Sequence, residues 1–193
     1  MKVLVACEFS RIVAEAFEKQ GHDVTSCDLL PAEKTGKHYQ GDVMDIINDG
    51  WDIMMAFPPC TYLAVSGARW WETKQVDQRK AIYFFLALAN ANIPKICVEN
   101  PIGIMSTYWR KPDQIIQPWM FGEDASKATC LWLKGLPLLQ PTEVIKKERY
   151  ANQTPSGQNK LGPSPGRSKL RSITYPGIAN AMAERWGRVK TLC

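Results

Sequence analysis

The sequence predicts an α/β protein built on a doubly wound, mostly parallel sheet. Three observations lead there. Short apolar runs alternate with helical patterns through the first hundred residues. Those runs are continuous rather than alternating, as strands buried on both faces require. Residues able to do chemistry cluster where the runs end, the edge at which open α/β sheets bind ligands.

The elements follow in order. "KVLVAC" (2–7) is the first strand, and "SRIVAEAFEKQG" (10–21) is a helix with Ile12, Val13, Ala16 and Phe17 at helical spacing. Ser10 is its expected N-cap and Gly21 its stop. "DVTSCDLL" (23–30) is a second strand ending at Asp28, and "WDIMMAF" (51–57) is another. "DQRKAIYFFLALANAN" (77–92) is a strong helix and "KICVEN" (95–100) the next strand. Later regularity is sparser. "ATCLWL" (128–133) reads as a strand, and "PGIANAMAERWG" (176–187) as a closing helix with proline in its first turn. The 193 residues are expected to form one domain, with 101–172 an irregular substrate-facing region.

Composition narrows the function. No apolar run approaches the ~18 residues of a membrane span, and "MKVLVACEFS" reads as a strand rather than a signal peptide. The six cysteines, at 7, 27, 60, 97, 130 and 193, include no C-x-x-C pair. That spacing argues against a zinc site or a disulfide framework and for reduced thiols in a cytoplasm. With two histidines, metal or imidazole chemistry is not expected. The net charge is +5, and from Arg149 to Ala183 there is no acidic residue but five basic ones: Arg149, Lys160, Arg167, Lys169 and Arg171. This stretch reads as a flexible, phosphate-seeking loop.

Strand ends carry the chemistry. The first gives Cys7-Glu8-Phe9-Ser10, the second Asp28, the third Pro58-Pro59-Cys60 and the fourth Glu99-Asn100. Asp28 sits about 20 residues past the first turn, where an acid holds a nucleoside ribose. "ACEFSR" has no glycine, so a pyrophosphate would not approach the backbone closely, and a phosphate-free cofactor such as S-adenosylmethionine fits better. Asp42, in "GDVMD", would accept from the adenine amino group. Two prolines stiffen the lead-in to Cys60 and fix the direction of its thiol. A thiolate adding to C6 of cytosine makes C5 nucleophilic enough to take a methyl group, while a carboxylic acid such as Glu99 meets the charge pushed toward N3. The thiolate needs a positive field, for which an arginine of the basic stretch is a candidate. Trp70 and Trp71 follow closely and either stack on a base or pack in the core.

"FPPC" (57–60), "VEN" (98–100) and "GIANAMAERW" (177–186) resemble motifs of the DNA cytosine-5 methyltransferases, in particular the short versions encoded by phages and prophages. The resemblance runs from "VLVACEFS" to "AERWG", through "TCLWLKGLP". It implies a Rossmann-like fold of the class I S-adenosylmethionine-dependent methyltransferase type, with Cys60 as nucleophile and Glu99 at N3 of a flipped or single-stranded cytosine in DNA. It also implies a cofactor bordered by Cys7, Glu8, Phe9, Ser10, Leu29, Val43 and Phe57, with Asp28 on its ribose and Asp42 on its adenine. Asn180 would lie near the cofactor's methionine end. Pro58, Pro59 and Asn100 would flank the base, with Arg167 or Arg171 beside it; the motif does not choose between them.

The chain departs from the pattern in "CEFSR", in Thr61 where glutamine is usual and in Pro101 where valine is usual. It has no room for a separate target-recognition domain, so specificity is expected to be short, relaxed or supplied by a partner protein or a dimer. Three alternatives stay open. One is an amino-methylating enzyme, against which Phe57 and Cys60 stand at the two diagnostic positions. Another is an inactive nucleic-acid-binding or anti-restriction protein. The last is a pyrimidine methylase acting on RNA or nucleotides.

Overall fold

The computed structural model describes residues 1–65, 72–162, 164 and 166–188; the expectations for Trp70 and Trp71 lie outside the described residues. The strands are β1 (Lys2–Ala6), β2 (Asp23–Asp28), β3 (His38–Gln40), β4 (Ile53–Ala56), β5 (Lys95–Pro101), β6 (Gln114–Ile116) and β7 (Thr129–Lys134). The helices are α1 (Ile12–Glu18), α2 (Gln75–Ala89), α3 (Met105–Tyr108), α4 (Arg167–Ser172) and α5 (Pro176–Trp186). One seven-stranded sheet runs in the order β3-β2-β1-β4-β5-β7-β6. The pairs from β3 to β5 are parallel, and β7 runs antiparallel to both β5 and β6. This is an α/β fold with a mostly parallel mixed sheet, compatible with a Rossmann-like arrangement.

The apolar strands are buried on both faces, for the reason their sequences suggested. Val3, Val5, Ile53 and Met55 face α1 and α5 through Phe17, Ile178, Met182 and Trp186. Leu4, Met54, Ile96 and Val98 face α2 through Ile82, Phe85 and Leu88. Trp132, 2 % exposed, meets Phe85 edge-on at 5.1 Å and satisfies its indole N–H on the Arg110 carbonyl at 2.9 Å. Its role is packing, as is that of Trp119, stacked on Tyr150 at 6.3 Å.

Strand order reverses between β1 and β4, which opens a crevice at their carboxyl ends. An antiparallel strand brings its beginning, not its end, to that same edge, so β7 delivers the residues preceding Thr129 there. Besides the expected strand β7, residues 101–172 hold more regular structure than expected, namely α3, β6 and α4.

Candidate active site

The turn after β1 shows how this chain manages without glycines. Cys7 and Arg11 both adopt left-handed backbone, at φ 60° and 58°, the conformation glycine usually supplies. Holding non-glycine residues there costs on the order of 1–3 kcal/mol each, and such strain collects at functional sites. Arg11 compensates by burying its guanidinium completely; it donates to Ser26 Oγ at 2.8 Å and to the carbonyls of Thr35 and Lys37, and pairs with Glu18. These bonds pin the loop that follows Asp28.

The helix N-cap is Arg11, not Ser10 as the sequence suggested, and it makes no side-chain cap bond. Glu8 does that work. Its carboxylate accepts from the amides of Val13 at 2.7 Å and Ala14 at 3.2 Å, and the Ser10 hydroxyl donates to it at 3.3 Å. Burial pushes the Glu8 carboxyl up to about 6 despite those bonds. The end of α1 that would receive a phosphate is thus filled by the chain's own carboxylate. Burial also pushes the Cys7 thiol up, with Asp28 and Asp42 adding to the effect, so it stays neutral.

Around β2 and β3, Asp28 is half-buried with Oδ1 accepting from the Leu30 amide at 2.9 Å, and Leu29 is exposed. Asp42 is exposed and caps the turn at Val43 by accepting from the Met44 amide at 3.0 Å. Val43, an expected cofactor contact, instead turns into the core beside Leu4 and Cys27, because this turn needs an apolar anchor. Carboxylate acceptors beside a helix end already taken by Glu8 suit a ligand with hydroxyl and amino donors and no phosphate. S-adenosylmethionine, with its ribose hydroxyls and adenine amino group, has that chemistry.

The β4 and β5 tips are tied together. Asn100 is buried and donates to the Pro58 carbonyl at 2.9 Å, which makes it a brace for the Pro-Pro-Cys turn. The Cys60 carbonyl accepts from the amides of Leu63 and Ala64, at 3.0 and 2.9 Å. Val65 donates to the Ile102 carbonyl at 3.1 Å and Ile104 to the Leu63 carbonyl at 2.8 Å. Gly103 makes this clasp possible, since a Cβ there would lie 2.1 Å from the Leu63 oxygen.

The Cys60 thiol is half-buried. Burial raises its pKa first and the Glu99 charge next, while Lys127 and Arg171 pull it down. Glu99 is also raised by burial, against the pull of Lys127 and a hydrogen bond from Thr129. The charges of Glu99, Lys127 and Arg171 therefore all bear on the thiol at this edge. Of the two arginines left open by the sequence, Arg171 is the one felt by Cys60. Arg167 is half-buried and leaves a buried Nε without a partner.

Phe57, Glu99, Lys127, Thr129, Tyr175 and Met182 help line a narrow pocket of about 10 Å³. That is room for about one water, so any larger ligand enters only when part of the lining moves. The Lys127 ammonium donates to the Arg171 carbonyl at 2.9 Å and so fastens the mouth segment. Asn180 does not join this pocket. It is exposed and lies two residues from both Ile178 and Met182, on the opposite side of α5.

No family model matches the chain, and no curated protein matches it. The site therefore speaks through its own geometry. Sequence reading missed Lys127, although its signal was present: a lysine just ahead of a strand that turns out antiparallel must lie at the carboxyl edge of its parallel neighbours.

Proposed function

We propose that the protein transfers a methyl group from S-adenosylmethionine to C5 of a cytosine in DNA. The observation that carries this reading is that Cys60, past the β4 tip that Asn100 braces, feels the charges of Glu99, Lys127 and Arg171, with Glu99 and Lys127 lining one pocket. The strand-order reversal between β1 and β4 and the single antiparallel strand β7 support the class I methyltransferase architecture.

Cys60 rests as a thiol, since burial and the neighbouring carboxylate outweigh the two cations. Moving a proton from the thiol to Glu99 relieves both groups. The Glu99 charge that opposed ionisation disappears, and Glu99 acquires the O–H that N3 requires. The thiolate then bonds to C6, and the C5–C6 π electrons become available at C5 as Glu99 protonates N3. When bound, the cofactor supplies the methyl group that C5 takes. Loss of the C5 proton to water re-forms the C5–C6 double bond and expels Cys60 as a thiolate; N3 returns its proton to Glu99, which passes it back to the thiolate, so the aromatic ring and both resting groups are restored. Lys127 favours the ionised thiol throughout. Asn100 holds the turn that aims the sulfur. Asp28 and Asp42 would hold the cofactor's ribose and adenine, with Leu29 alongside.

The test is a nucleoside digest after incubation with labelled cofactor and DNA. It should release 5-methylcytosine, and Cys60→Ser should abolish that product. DNA containing 5-fluorocytosine should trap a covalent adduct, because fluorine cannot leave as the proton does. Methylation at an amino group, or at C5 without an adduct, overturns the mechanism.

A further inference from the structure

The basic stretch contains an ordered β-hairpin, and its position relative to the active site is informative. Gln153 pairs with Asn159, and around them the Thr154 amide donates to the Gln158 carbonyl at 2.7 Å and Lys160 to the Asn152 carbonyl at 2.9 Å. The turn closes through Gly157, at φ +78°, whose amide donates to the Thr154 carbonyl at 2.9 Å. The base of the hairpin is bolted to the pocket wall. Asn152 and Ser126 exchange two hydrogen bonds, at 3.0 and 2.9 Å, next to Lys127. The same Asn152 amide reaches the hydroxyl of Tyr175, another pocket residue, at 3.5 Å.

The hairpin's outer half is exposed from Pro155 to Leu161. Among the described residues the Gln158 side chain makes no hydrogen bond, and Asn159 uses only its oxygen, accepting from the Leu161 amide at 2.8 Å. Among the described residues Lys160 makes no ion-pair contact, although its charge reaches Asp124, and of the five basic residues from Arg149 to Arg171 only Lys169 is in one, with Glu33. A protein-docking surface is centred on aromatic or large aliphatic anchors, and Gln153–Lys160 contains none. Exposed amides and an exposed ammonium instead match base edges and phosphates.

We propose that the hairpin from Asn152 to Lys160 is the element that reads DNA beside the target cytosine, with Gln158 and Asn159 on base edges and Lys160 on the backbone. Naming the cytosine rests on the methyltransferase reading; the DNA contact does not. From Asn152 to Thr154, where the turn begins, the extended arm spans two residues, a reach of about 7 Å at about 3.3 Å per residue. One strand carries a charge about every 3.4 Å, so the arm covers about two nucleotides flanking the pocket. A short recognition sequence follows from that reach.

Fluorescence anisotropy with labelled 20-base-pair duplex and 20-nucleotide single-strand DNA tests this directly. The Q158A/N159A/K160A variant should bind at least one of these forms about tenfold more weakly than wild type. K160A alone should reduce the slope of log affinity against log salt by about 1. Replacing 154–158 with Asn-Gly, a two-residue turn that closes hairpins well, removes Gln158 and should cause part of that loss with an unchanged urea midpoint. Affinity within twofold of wild type on both DNA forms overturns the proposal, as does hairpin-dependent binding confined to RNA. If no base is methylated yet DNA binding depends on the hairpin, the proposal stands and the enzymatic reading falls. If the triple variant makes 5-methylcytosine at the same sites and rates as wild type, the proposal falls and the enzymatic reading stands.

Discussion

Gly103→Ala tests whether the clasp between the β4 and β5 loops aims Cys60. An added Cβ would sit 2.1 Å from the Leu63 oxygen, 2.8 Å from its carbonyl carbon and 3.1 Å from the Ala64 Cα. All three are backbone atoms, so no side-chain rotation relieves the clash. Reaching ordinary contact means a retreat of roughly 1 Å by the turn that begins at Cys60. Two hydrogen bonds span that gap, Ile104 to Leu63 at 2.8 Å and Val65 to Ile102 at 3.1 Å. At about 1 kcal/mol each, with steric strain added, the substitution should destabilise the fold by about 2–4 kcal/mol. A displacement of about 1 Å at a reacting group costs about 100-fold in rate. Urea denaturation gives the first quantity, and the rate of adduct formation with 5-fluorocytosine DNA gives the second. Gly162→Ala is the control, because nothing lies within 4 Å of its added Cβ. Adduct formation within twofold of wild type, with stability lowered by under about 0.5 kcal/mol, refutes the claim that the clasp positions the thiol.

Two more outcomes are expected. Glu8 has its folded carboxyl raised to about 6 from an ordinary 4.5, so its contribution to stability is full below about 4.5 and lost as pH rises through about 6. The loss amounts to roughly 2 kcal/mol. Urea midpoints at acid and neutral pH should show this dependence in wild type and not in Glu8→Gln; equal slopes in both proteins exclude it. Lys127→Met removes a cation that lowers both Cys60 and Glu99, so both groups should titrate at higher pH. Iodoacetamide labelling of Cys60, followed by peptide mass across about pH 6 to 10, should show the midpoint displaced upward and labelling at neutral pH slowed by roughly tenfold. An unmoved midpoint removes Lys127 from the site.

Much of the architecture was legible because burial is written in local composition. "KVLVAC" and "WDIMMAF" have no polar face to offer water, so they had to become interior strands, and the intervening helical patterns had to cover them. The three-residue strands β3 and β6 were not legible, since "HYQ" and "QII" owe their pairing to neighbours far along the chain rather than to their own pattern. Nor was the helix α4, which lies in a stretch whose sequence reads as a loop. Glu8 belongs to the same lesson. Glu8 and its neighbours read as cofactor contacts, but backbone at φ 60° and 58° on either side turns Glu8 back onto the helix start.

The sequence by itself determined the layering of the sheet and the presence of a proline-stiffened cysteine and a strand-ending glutamate at one edge. Alternating apolar segments and proline constraints act within a few residues, so they leave a readable local trace. The tertiary structure alone decided that Lys127 and Arg171 bear on the thiol, that Gly103 fastens two loops and that Asn152 roots a hairpin beside the pocket. Those outcomes depend on an antiparallel strand and on hydrogen bonds between segments tens of residues apart. Electrostatic and packing energies fall off with distance in space, not along the chain, and only the folded arrangement sets that distance.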